Sequence, residues 1–219
     1  MQKMKMQDSI KRTLDLFEIS LENQVVICYY YSCKCGRGGG LAMIFVSGIH
    51  GVGKSFFCGM VHKQLGINCY SASQLITTKR KIGFSENKLV PDIEDNQPLL
   101  IEAISNLRKS EQEFILDGHF CLLDASGSIT RIPLKTYLDL KPDRIILLTE
   151  RPEVISHRRL HRDGVKQDPS EIETFQSEEK SYAEEISAQL NIPFIVSTGA
   201  DDLPRVINWI DKGGLSHGR

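Results

Sequence analysis

The segment Gly48-Ile49-His50-Gly51-Val52-Gly53-Lys54-Ser55 fits G-x-x-x-x-G-K-[ST], a spacing suited to holding phosphate. It follows an apolar run, Ile44-Phe-Val-Ser, and opens a helical periodicity, which is the setting such a loop requires. The glycines let consecutive backbone N–H groups approach phosphate oxygens where a Cβ would clash. The positive end of the following helix adds its partial charge. Lys54 is expected to reach the β- and γ-phosphates of ATP, and the Ser55 hydroxyl to bind Mg²⁺. The expected nucleotide-binding stretch runs from Gly48 through Phe56.

Such a loop needs a carboxylate on a neighbouring strand. Phe114-Ile-Leu-Asp117 supplies three apolar residues and an acid, followed by Gly118-His119. An acid ending a buried strand is costly without a polar neighbour, and hydrated Mg²⁺ is a natural one. The other reading of Asp117 is a turn or helix cap. His119 either contacts a substrate or packs in its loop. A third cluster is Arg158 and Arg162, four residues apart on one helix face, with Lys166 beyond. Arginines stabilise the charge spread over a moving phosphoryl group, so Lys54, Arg158, Arg162 and Asp117 form the candidate catalytic set. The competing reading of the arginines is a solvated basic face paired with Glu171, Glu173, Glu178, Glu179, Glu184 and Glu185 downstream. His157 and His161 have no acidic neighbour to support a zinc site, and Cys33-Lys-Cys35 has no matching second pair.

The elements that must position these groups follow from periodicity. A buried strand at Ile44 to Ser47, a helix over 54–65 and a strand from Ile67 to Tyr70 come first. Helices are expected over Ser71 to Lys79 and Pro98 to Lys109, then a strand from Phe114 to Asp117 and a hairpin between Cys121 and Ile132. A strand from Arg144 to Leu148 and a helix opening at Pro152 follow. Last come a long helix from Pro169 to Leu190, a strand from Pro193 to Val196 and a helix near Asp201 to Ile210. Strands alternating with helices predict an α/β fold with a parallel sheet covered on both faces. Residues 1–42 read as an N-terminal extension, with a short amphipathic helix over 8–21, a β-prone stretch from Val25 to Tyr31 and a glycine run from Gly36 to Gly40. The domain proper is expected over 43–212 with a tail at 213–219, and Met43 is a candidate start.

Composition limits the partners. The 219 residues carry 27 Lys+Arg against 28 Asp+Glu, and 41% of them are hydrophobic, which suffices for a core and gives no support for a polyanion binder. No apolar run approaches a membrane span, and the N-terminus lacks the apolar core of a secretory signal. Six cysteines in this length do not make a secreted disulfide framework, so a cytoplasmic protein is expected, without membrane or nucleic-acid partners.

In order and spacing, these pieces resemble the adenylate kinase-like family of nucleotide kinases. Asp117-Gly-His119, Gly127-Ser-Ile-Thr-Arg-Ile-Pro133, Leu140-Lys-Pro-Asp-Arg-Ile-Ile, the arginine helix ending in Arg162-Asp163, and Ala183 look most like the archaeal-type adenylate kinases. The resemblance spans about Met43 to Ile210 and implies a three-layer P-loop NTPase core with a small helical lid. It also implies ATP and Mg²⁺ as cofactors, with Arg158 and Arg162 bordering the lid. Lys166 and Lys180 fall where that family often carries arginines. Ser71, Ser73, Lys79, Arg80 and Lys81 are candidates for holding an acceptor. The expected activity is transfer of the ATP γ-phosphoryl to a nucleoside monophosphate or related small acceptor. The alternatives are a kinase of a hydroxyl acceptor, with Asp117 as base, and a regulatory ATPase whose N-terminal extension binds a protein partner.

Overall fold

The computed structural model describes residues 42–80 and 93–213. The helix, strand and glycine run expected within 1–41 and the Cys33–Cys35 pair lie outside the described residues.

The apolar run Ala42–Ser47 forms β1, buried along almost its whole length, as expected of a strand covered on both faces. It lies at the centre of a five-stranded parallel sheet. Its neighbours are β3 (Glu113–Asp117) and β6 (Arg144–Leu148), with β2 (Asn68–Ser71) and β7 (Phe194–Ser197) at the edges. The chain therefore leaves β1 toward one side of the sheet and later returns on the other side. The strand order reverses beside β1, which opens a crevice at the carboxyl ends of the strands. Register places Asp117 level with Ser71 on one side and Val46 on the other.

Helices α1 (Lys54–Leu65), α2 (Ala72–Arg80), α3 (Ile93–Ser110), α4 (Leu134–Leu140), α5 (Pro152–Asp163), α6 (Pro169–Leu190) and α7 (Leu203–Asp211) accompany the sheet. The hairpin expected between Cys121 and Ile132 is present as β4 (Cys121–Leu123) and β5 (Ile129–Arg131). The start of α6 is written in its sequence: Asp168 caps it by accepting from the Ser170 N–H at 2.8 Å, and Pro169 takes the first turn. Five residues, 164–168, join α5 to α6.

One boundary differs from expectation. Helix α3 begins at Ile93 and not at Pro98, so the proline lies inside it. Pro98 is the sixth residue of the helix, past the first four N–H groups that lack an intrahelical partner, so it removes one backbone hydrogen bond near the start and does not mark the first residue. The extra residues bring Asn96 and Gln97 onto the helix, and both are buried.

Candidate active site

The loop from Gly48 to Gly53 leaves β1 at the centre of the crevice and turns into α1. Its backbone requires glycine at two places in particular. Gly48 has φ +141°, and a Cβ there would stand 2.7 Å from the Leu148 carbonyl oxygen. Gly51 has φ +84°, and its Cβ would press on Arg159 and Ile155 at 3.2 Å. Gly53 precedes α1 with no side-chain cap, which leaves the first N–H groups of that helix available to an anion.

Two buried charges hold the loop from beneath. Glu179, on α6, is 1% exposed. Its carboxylate accepts from the Ser47 hydroxyl at 2.6 Å, the Gly48 N–H at 3.2 Å, the Phe120 N–H at 3.0 Å and the Cys121 N–H at 2.6 Å. It thereby ties the end of β1 to the segment after β3. Burial pushes this carboxyl above its usual range, while the hydrogen bonds and Lys54 pull it back. Arg159, 7% exposed, donates through Nε and Nη2 to the His50 carbonyl at 2.9 and 2.6 Å. Its remaining nitrogen reaches Gln167, so the same side chain fastens the α5–α6 connection to the loop.

Lys54 folds back over its own loop. Its Nζ donates to the Gly48 carbonyl at 2.5 Å, lies 3.3 Å from His119 Nε2 and stands 3.7 Å from Asp117 Oδ1. Burial lowers its affinity for a proton, while Asp117 and Glu179 oppose that. Burial raises the Asp117 carboxyl above its usual range, with Lys54 pulling it down. His119 is driven well below the ordinary histidine value by burial and by Lys54, His50 and Arg159, so it is neutral near pH 7. Because an ammonium only donates, Nε2 of this neutral ring accepts and Nδ1 carries the hydrogen. Nδ1 is buried without a partner among the described residues, and the ring packs on His50 at 4.3 Å between centroids.

These groups open on a cleft of about 1070 Å³. Gly51, Gly53, Lys54, Ser55 and Phe56 line one side of it, with Arg158 and Arg162. Asp117 is the one carboxylate among its described lining residues. Ser55 and Asp117 also share a smaller adjoining cavity of about 510 Å³. No group of three or more His, Cys, Asp or Glu suited to a metal exists among the described residues. One hydroxyl beside one carboxylate, with space around them, fits Mg²⁺, which keeps waters and shares nucleotide oxygens.

The arginines divide differently from expectation. Arg158 braces the loop, donating to the Val52 carbonyl at 3.0 Å and to Glu150 at 3.0 Å. Arg162 lines the cleft while paired with Asp163 at 2.7 and 2.8 Å. Among the described residues the most buried arginine is Arg159, which the sequence pattern did not single out. Lys166 and Lys180 do not line the cleft, and Lys180 lies 3.9 Å from Glu184. Of the acceptor candidates, Ser71 and Ser73 line it, Lys79 pairs with Glu102 at 2.7 Å, and the Arg80 side chain and Lys81 lie outside the described residues. The downstream glutamates do not neutralise the arginine helix as a face: Glu178 and Glu185 pair with Arg131. Glu179 could have been found in the sequence, since it shares the stripe of Ile172, Phe175, Tyr182 and Ile186.

A glycine loop at the reversal point of a parallel sheet, with its lysine and a strand-end aspartate, defines a P-loop nucleotide-binding protein. A profile of the AAA domain family matches residues 47–176, more than half of the chain, and the protein belongs to that family. No curated protein matches the sequence. Among solved structures it is similar to shikimate kinase from Acinetobacter baumannii in complex with shikimate, at 12% identity and a TM-score of 0.51, covering 81% of this chain and 97% of that one. It is also similar to a gluconokinase from Sinorhizobium meliloti 1021, at 16% identity and a TM-score of 0.44, covering 79% and 91%. A shikimate kinase from Aquifex aeolicus matches at 16% identity and a TM-score of 0.46, covering 77% and 92%. The shared property is the α/β P-loop fold, broader than the archaeal-type adenylate kinases.

Proposed function

We propose that the protein is an ATP-dependent kinase that phosphorylates a hydroxyl group of a small acceptor. The observation that carries this reading is Asp117: a carboxylate raised by burial, 3.7 Å from Lys54, at the junction of the phosphate loop and the cleft. A hydroxyl must lose its proton as it attacks, and a carboxylate raised toward neutrality is a better base than an ordinary one. A nucleoside monophosphate already carries its nucleophile ionised and needs cations to hold it. On the wall from α2, α3 and α4, no Lys or Arg lies among the described lining residues, which favours the hydroxyl acceptor.

The nucleotide's phosphates bind the loop N–H groups, and Lys54 leaves the Gly48 carbonyl for the β- and γ-phosphate oxygens. Ser55 would hold Mg²⁺, with Asp117 facing the ion's waters, and the ion supplies charge neutralisation at the phosphates. Arg158 and Arg162 border the transferring group, and Asp117 takes the acceptor proton. Buried His119 stays neutral and lends its Nδ1–H to an oxygen in the site.

The test is ATP consumption with and without hydroxyl acceptors, together with Asp117→Asn. The variant should retain ATP binding while acceptor-dependent kcat falls by roughly 10²- to 10⁴-fold. Equal ATP consumption with and without every acceptor would sink the kinase reading in favour of a regulatory ATPase.

A further inference from the structure

Asn96 is 1% exposed, lines the cleft, and has no hydrogen-bond partner for either Oδ1 or Nδ2 among the described residues. It shares a face of α3 with Leu100 and Ile104, residues four and eight positions on. The cleft wall from α2, α3 and α4 mixes Ile76, Leu100, Tyr137 and Leu140 with uncharged Gln97 and Thr136, and no charged side chain lies among its described lining residues. An amide buried this way loses its water hydrogen bonds and regains none, which is unfavourable to the folded chain by itself. Leucine at this position would fit the stripe better. A polar group kept at such a cost, facing a ligand-sized cleft, is expected to find its partners on the ligand.

The chemistry of the carboxamide limits that ligand. Asn96 offers one carbonyl acceptor beside two N–H donors on a planar group. Its complement is a neutral edge with a donor next to an acceptor, as in a cyclic amide. A carboxylate or phosphate presents acceptors alone, so it would leave Oδ1 unpaired and bring its charge onto a wall with no described cation to meet it. We infer that the acceptor enters this wall with an uncharged, planar, amide-type edge, and that Asn96 is the residue that selects it. The inference rests on the kinase reading and names the substrate class for the same site.

The full-length chain with Mg-ATP is assayed for ATP consumption against uridine and inosine, which carry hydroxyls and a cyclic amide edge. Ribose, gluconate, shikimate and adenosine monophosphate are run alongside. Turnover is expected with the amide-bearing compounds. In Asn96→Leu their KM should rise roughly 10- to 100-fold, as two lost hydrogen bonds imply, with no fall in Tm. Asn96→Ala, which removes the amide without added bulk or charge, should raise the same KM values by a similar factor and guards against a packing defect in the first variant. Turnover confined to the anionic compounds or ribose would overturn the inference and leave the kinase standing. So would an unchanged KM in Asn96→Leu, whether or not Tm drops. No acceptor-dependent ATP consumption with any compound, in protein that binds Mg-ATP by calorimetry, would sink the kinase reading and the inference together.

Discussion

The two sides of the cleft are built on opposite terms. On the nucleotide side, the loop backbone is held by Glu179 and Arg159, and each of these buried charges has several partners within hydrogen-bond distance. On the side of α2, α3 and α4, the wall carries no charged side chain among its described lining residues and includes one buried amide with no hydrogen-bond partner among the described residues. A site for a phosphate chain can be prepared in advance, because backbone N–H groups and a helix end serve any nucleotide. A site that selects one acceptor must leave something unsatisfied until that acceptor arrives.

The largest expected effect tests whether the nucleotide side is held from beneath. Glu179→Leu removes the acceptor from buried backbone N–H groups of Gly48, Phe120 and Cys121, and should cost about 3–5 kcal/mol of stability by chemical denaturation. A loss below about 1 kcal/mol would mean the loop holds its shape unaided.

Lys54→Ala should lower ATP turnover by roughly 10²- to 10³-fold with the fold intact, since it removes a charged donor from the phosphates. Retained turnover would move the phosphate site away from this loop.

The arginines give a graded test. Arg158→Ala should lower kcat by about 10-fold or more, and Arg162→Ala by less, because Arg158 abuts the loop while Arg162 is taken up by Asp163. The reverse order would mean that Arg162 turns into the cleft when nucleotide binds.

The smallest expected effect concerns pH. The folded-state pKa of His119 is depressed below its ordinary 6.5, so the unfolded chain takes up a proton first as pH falls. The stability it contributes is present above pH 6.5 and is lost on acidification through that value toward the folded pKa. His119→Asn should flatten the stability profile below pH 6.5, and an unchanged slope would place the titration elsewhere.

The contrast between the two sides also explains what could be read in advance. The phosphate loop was legible because its chemistry is local: glycines, a lysine and a serine at fixed spacing between a strand and a helix. Asp117 was legible for the same reason, as an acid closing an apolar strand. Asn96 was not, because Pro98 pointed to a helix start five residues too late and left Asn96 in a polar loop. Glu179 was hidden among glutamates of equal charge, and only its place on the apolar stripe sets it apart. Arg158 and Arg159 are adjacent in sequence, yet a rotation of about 100° around the helix points one along the cleft and the other under the loop.

By itself the sequence determined the alternation of strands and helices, the phosphate loop and the acid at the end of β3, because each depends on neighbours a few residues apart. The tertiary structure alone decided which charges are buried as supports and which face the cleft. Glu179 meets Ser47 across 132 residues and Arg159 meets His50 across 109. Pairings over such separations depend on how the sheet is wound and how the helices pack on it. No local spacing records them.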